Sequence, residues 1–243
     1  MTIVREFVSN FTKIKRTPIV LLNILTPIVI TASYFAYYVS GGYHIISDVR
    51  IFFIFLQICY PIYVSIVVPI LIGLDRNISS IQNTLGLVES RISVFFGKVI
   101  FLIFLSAINI ILFELCFYIG VNLIPGISIP HQSSYFIIFL IFVSGNLFIY
   151  ILHVPVAFKF GSSISVLLGI SGTILAGYFE NAIGDKIWPL IPWEWNVRFL
   201  KSYFESSSEQ IFTGIISLII ITSIALVLSL LWINKWEGKV IQE

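Results

Sequence analysis

Charge is scarce in this sequence. Only 11% of its 243 residues are Asp, Glu, Lys or Arg, where a soluble domain carries about 25%. That scarcity excludes an ordinary water-soluble globule. The 14 basic residues are also dispersed, so nucleic acid is not an expected partner. Cysteine is nearly absent: Cys59 and Cys116 both fall inside apolar runs and read as small packing residues. The three histidines, His44, His131 and His153, lie in separate parts of the chain. With no H-E-x-x-H and no C-x-x-C, a metal cluster is not expected. There is no G-x-x-x-x-G-K-[ST] phosphate loop. Gly161, Gly169, Gly172 and Gly177 sit in apolar sequence with no lysine where a phosphate would need one. No internal repeat stands out, which argues against an inverted-repeat secondary transporter.

Apolar sequence is what the chain has in abundance, at 58% of residues. A spanning helix needs about 20 mostly apolar residues. Six such runs are read, at about 18–39, 51–74, 99–122, 135–157, 163–180 and 210–233. The expected fold is therefore an all-α integral membrane domain covering 1–243, with no soluble enzyme module. Orientation follows from lysine and arginine near span ends. With the N-terminus inside, ten basic residues fall on the cytoplasmic side and Arg50, Lys186, Arg198 and Lys201 on the other. Both termini are then cytoplasmic. The late, span-length first apolar run is expected to stay in the protein and not to be cleaved as a signal.

Residues 2–16 read as an amphipathic interfacial helix, with Ile3, Phe7, Phe11 and Ile14 at helical spacing and Lys13, Lys15 and Arg16 closing it. It serves as a membrane anchor or as an elbow that also touches a partner. Pro27, Pro61 and Pro69 lie inside spans. Each frees a backbone carbonyl, which a bundle tolerates when neighbouring helices fill it. Asn23, Asn109 and Asn146 are candidates for interhelical hydrogen bonds. Ser165, Gly169, Thr173 and Gly177 repeat every four residues, with Gly172 and Ala176 as a second row. Such rows let backbones approach closely, within the chain or between subunits.

Three polar features stand out against this background. The loop 75–98 carries Arg76, Asn77, Glu89, Arg91 and Lys98, with Ile78, Ile81, Leu85 and Val88 as a one-sided stripe. It reads as a short helix started by an Asn77 cap, either docking on a protein or resting on lipid. Glu114 sits inside a span, where a carboxylate is costly unless paired or neutralised. It is a cation or proton site, or a hydrogen-bonded structural carboxyl. The outer segment 181–209 holds Trp188, Trp193, Glu194 and Trp195. It is expected to lie in the interface or dip into the outer leaflet, as an aromatic belt or as a contact for an amphipathic substrate. An intramembrane enzyme using Glu114, His153 or Glu180 would lack recognised catalytic spacing.

The six spans, the basic amphipathic N-terminal helix and the polar loop after span 2 together resemble ABC-2 type transporter permeases. The loop likeness centres on Leu87-Val88-Glu89-Ser90-Arg91 and Phe95-Phe96-Gly97-Lys98. The outer Ile191-Pro192-Trp193-Glu194-Trp195 is similar to the permease subunits, of E and G type, of lantibiotic-immunity exporters. The resemblance covers the whole chain, without a motif as specific as a phosphate loop. It implies a bacterial plasma-membrane permease with no cofactor of its own. ATP and Mg would bind a separate ATP-binding subunit, present in two copies. A second permease subunit, identical or related, would complete the assembly. Coupling would run through Arg76, Asn77, Ile81, Leu85, Glu89 and Arg91. The substrate would be a cationic amphipathic peptide. Apart from the resemblance, the residues read as its candidate contacts are Trp188, Trp193, Glu194, Trp195 and Glu114. The competing expectation is an ion- or proton-coupled carrier centred on Glu114.

Overall fold

The computed structural model describes residues 2–40, 49–78, 91–124, 132–205 and 211–236. Among these residues every regular element is a helix: α1 (Thr2–Ile14), α2 (Pro18–Ser40), α3 (Val49–Ile78), α4 (Arg91–Leu123), α5 (Gln132–Gly145), α6 (Leu147–Phe179), a 3-10 turn (Trp188–Leu190), α7 (Trp195–Glu205) and α8 (Ile211–Lys235). Five segments are long and apolar enough to cross a bilayer, at Pro18–Ser40, Val49–Leu74, Arg91–Leu123, Ser134–Phe179 and Ile211–Lys235. The chain is thus a multi-pass membrane protein in its helical content and apolarity.

The fourth segment holds 46 residues and is not straight. Gly161 has φ 82° and ψ −164°, a backbone region that glycine enters without a Cβ clash. His153 Nδ1 lies 2.9 Å from Ser165 Oγ. Twelve residues along one straight helix would separate them by about 18 Å, so α6 doubles back at Gly161. Both of its arms lie on α3. Tyr150 of the first meets Tyr60; Gly169 of the second rests on Pro61 and Ser65. The small-residue rows are used here, since Ser165, Gly169, Gly172 and Ala176 are the buried face of the second arm.

Two ends of the bundle are distinguished by their contacts. At one, Phe7 and Phe11 of α1 interleave with Phe101 and Phe104 of α4, at centroid distances of 5.0–5.9 Å. Trp236 packs on Phe158 at 5.2 Å, next to the Gly161 turn. At the other, α7 crosses the starts of α3 and α5: Arg50 pairs with Glu205, and the Tyr203 hydroxyl donates to Ser134. An aromatic core sits nearer this end, where Phe52 lies 4.7 Å from Phe117 and Phe53 6.3 Å from Phe142.

Both ends of the stretch read as a polar loop, 75–98, are helical. α3 runs on to Ile78, and α4 begins at Arg91 instead of about 99. The reason is tertiary: Val94, Phe95 and Lys98 in the first two turns of α4 are buried, and Gly97 gives the Glu6 side chain of α1 room to lie across the helix. Asn77 sits in the last turn of α3, and most of the short helix it was expected to cap lies outside the described residues.

Candidate functional site

Three places in the bundle hold polar groups that the surrounding apolar sequence does not explain. The first is the α1 end. Glu6 of α1 accepts from Lys13 at 3.2 Å and faces Lys98 at 3.8 Å. The Lys98 side chain is fully buried, and the charge of Glu6 beside it offsets part of the desolvation cost. Arg91 donates to the carbonyls of Asn234 and Trp236, at 3.1 and 2.7 Å. These are orphan acceptors at the C-terminus of α8. Thus α4 grips both α1 and α8 where it leaves the polar loop. Of the residues expected to couple to a partner, Arg91 takes this clamping position. Arg76 and Asn77 lie in the last turn of α3. Ile81, Leu85 and Glu89 lie outside the described residues.

The second place is the interior, where the prolines explain the polar side chains. Proline at position i leaves the carbonyl of residue i−4 without its helical donor. Pro27 does this to Asn23, and the Asn109 amide of α4 donates to that carbonyl at 3.1 Å. Pro69 does it to Ser65, and Ser165 of α6 donates at 3.2 Å. Pro155 does it to Ile151, and Ser229 of α8 donates at 3.4 Å. Each bend is thereby tied to a different neighbouring helix. Tyr60 joins the same interior, its hydroxyl 3.0 Å from Ser106 and 3.3 Å from Tyr150. Gln57 donates to Asn146 at 3.0 Å, at the break between α5 and α6. Asn23, Asn109 and Asn146 therefore all serve interhelical contacts, as expected, although Asn23 contributes its backbone. His153 and Ser165 are fully buried and lie 2.9 Å apart through Nδ1 and Oγ, a packed polar pair. Glu114, half-buried on α4, has one buried oxygen with no hydrogen-bond partner. It lies within electrostatic reach of Tyr135, whose hydroxyl is likewise without one.

The third place is the cap at the α7 end. Arg198 is its hub. Its guanidinium donates to Glu194 at 2.9 Å, Asp185 at 2.6 Å, and the carbonyls of Phe179 and Asn181 at 2.5 and 2.8 Å. One planar fork thus ties α7 to the end of α6 and to the connecting turns. Burial pushes the Glu194 carboxyl up to about 8, against the opposing pull of Arg198. Trp188 and Trp195 are buried at 3% and 0%, and Glu194 at 0%. The Trp195 indole donates to the Pro189 carbonyl at 2.9 Å, and Trp193 is seated against Gly172. In this conformation Trp188 and Trp195 pack inside the cap, and Trp193 is partly buried against α6. Ile183, Ile187 and Leu190 are exposed apolar groups of the segment.

Beside the cap lies a cavity of about 320 Å3. Arg50, Glu180, Lys201 and Glu205 line one side and Ile51, Ile54, Phe55 and Ile58 of α3 the other. The charged residues form two pairs, Arg50–Glu205 at 2.8 Å and Lys201–Glu180 at 3.0 Å. Sequence reading missed this grouping and the Arg198 hub. The Glu194–Arg198 spacing of i and i+4 was the one local signal for the hub; the cavity joins three elements and had none. No family model, curated protein or solved structure matches the chain.

Proposed function

We propose that the chain is the membrane-spanning permease subunit of an ATP-driven exporter of ABC-2 type, in a bacterial plasma membrane. In this reading Ser134–Phe179 crosses twice, making six crossings with both termini in the cytoplasm. The α1 end faces the cytosol and the α7 cap faces outward. Energy comes from a separate ATP-binding subunit, two copies per assembly, which holds ATP and Mg. A second permease, identical or related, completes the pair.

The observation that carries this proposal is the clamping at the α1 end. The polar stretch lies between α3 and α4 in the sequence, and α4 is held at its start to α1 through Glu6 and Lys98 and to α8 through Arg91. A push on that stretch would reach four helices without needing a soluble domain of this chain. Glu89, Ile81 and Leu85 are assigned to the partner contact. The cargo is a cationic, amphipathic, lantibiotic-type peptide removed from the membrane, giving self-immunity. Glu194, Trp188 and Trp195 are buried, so peptide contact with them would follow opening of the cap, whereas Trp193 is partly exposed. Purification in mild detergent from the native host tests the proposal. An ATP-binding subunit should copurify, and Glu89→Ala should weaken that association and peptide resistance while leaving the permease inserted and abundant. Efficient transport by the chain alone in liposomes would refute it.

One observation favours a second reading. The unpartnered Glu114 oxygen near Tyr135 suits a cation- or proton-coupled carrier. That reading requires Glu114→Gln to abolish gradient-driven transport without ATP.

A further inference from the structure

We infer that the cavity between α3, α6 and α7 is a binding site for the zwitterionic headgroup of a membrane phospholipid, one carrying an ammonium beside a phosphate. The inference needs only that the bundle sits in a bilayer; it does not depend on the transport reading.

The chemistry of the lining is graded along α3. Arg50, at the start of the helix, stands with Lys201, Glu180 and Glu205. Ile54 and Ile58 lie one and two turns further into the spanning region, about 6 and 12 Å along the axis. A ligand bound here meets charge at the cap and hydrocarbon below it, which is the order of a headgroup above its acyl chains. The wall opens sideways, since Ile51 and Phe55 are 42% and 58% exposed on the outer face of α3.

Charge balance selects the headgroup. Among the described residues the cavity presents two cations and two carboxylates, which pair with one another. A polycationic peptide would find each carboxylate neutralised, and an anionic lipid would meet two repelling carboxylates. A zwitterion can exchange partners with both: its phosphate takes Arg50 and Lys201, and its ammonium takes Glu180 and Glu205. Arginine and lysine both suit a phosphate, the first by a bidentate fork and the second as a point charge. The four side chains are about one-third exposed, and pairs of that kind hold together weakly, so a ligand can open them. A volume of about 320 Å3 sits at the small end of ligand pockets, roughly 300–1,000 Å3, which suits a headgroup better than a folded peptide.

The test uses the purified full chain with equimolar phosphatidylethanolamine and phosphatidylglycerol of identical acyl chains. Retained lipid is counted by native mass spectrometry. Phosphatidylethanolamine should be retained over phosphatidylglycerol by about fivefold or more. The double variant Glu180→Gln, Glu205→Gln removes the partners of the ammonium and the carboxylates that repel an anionic lipid, and should lose that preference. Ile54→Trp, which fills the cavity from its apolar wall and leaves all four charges in place, should lose it too. Soluble glycerophosphoethanolamine at the same concentration should not displace the lipid, because it lacks the chains that the α3 wall covers. Equal retention of the two lipids overturns the inference. So does a preference that survives in both variants, or one abolished as effectively by the chain-free headgroup.

Discussion

If Asn109 exists to fill the carbonyl that Pro27 leaves open, then its value depends on that proline. The relevant geometry is short: the Asn109 amide donates to the Asn23 carbonyl at 3.1 Å, in a fully buried setting. Replacing Asn109 with leucine keeps most of its volume and removes the donor. A buried acceptor left unfilled costs about 1–3 kcal/mol. Interhelical hydrogen bonds measured in membranes average about 0.6 kcal/mol and reach about 1.7. The expected cost of Asn109→Leu with Pro27 present is therefore about 1–2 kcal/mol. Pro27→Ala restores a backbone N–H at that position, and this donor completes the helical bond to the Asn23 carbonyl. The Asn109→Leu cost should then fall to about 0.5 kcal/mol or less, leaving a coupling of about 1 kcal/mol. Reversible unfolding in a bilayer or a mild detergent mixture would read this as roughly a fivefold change in the folded-to-unfolded ratio. The reasoning is refuted if the leucine costs the same in both backgrounds. It also fails if Pro27→Ala makes Asn109 more important.

Further consequences follow from the cap and from α4. Arg198→Lys should destabilise the protein by about 3 kcal/mol, because an ammonium cannot serve two carboxylates and two carbonyls from one plane; thermal unfolding of the purified chain checks this. Glu194 is protonated more readily when folded than when unfolded, so the folded state binds the extra proton between about pH 4.5 and 8. Its contribution to stability is therefore present at low pH and lost as pH rises through about 8, and Glu194→Gln should flatten stability over that window. A Cβ at Gly145 would strike the Asn196 side chain, so Gly145→Leu should lift the cap, and red-shifted tryptophan emission would report exposure of Trp188 and Trp195. Glu6→Ala should remove the carboxylate that lies 3.8 Å from Lys98 and loosen α1, raising protease cleavage near residues 15–17.

Much of this was legible beforehand. Apolar run length alone marked a multi-pass helical protein, because a bilayer core admits only long helices whose backbone groups are satisfied internally. Periodicity marked α1 as amphipathic, and Phe7, Phe11 and Ile14 do pack toward the bundle. The prolines were visible too, along with the rule that a freed carbonyl needs a donor from a neighbour. Which neighbour supplies it was not, since Asn109, Ser165 and Ser229 lie 86, 100 and 78 residues from the carbonyls they fill. The two spans read at 135–157 and 163–180 stand where the structure has α5 and the two arms of α6. The break at Asn146 had no clear apolar signal.

What the sequence determined by itself, then, was solvent and crossing length, because both depend on residues adjacent along the chain. Tertiary structure alone decided where α4 begins, why Arg198 matters, and that Arg50, Glu180, Lys201 and Glu205 share one cavity. Those facts depend on contacts between helices far apart in sequence. In an apolar bundle many faces are interchangeable to hydrophobic burial; the few polar groups that must find partners settle which helices meet.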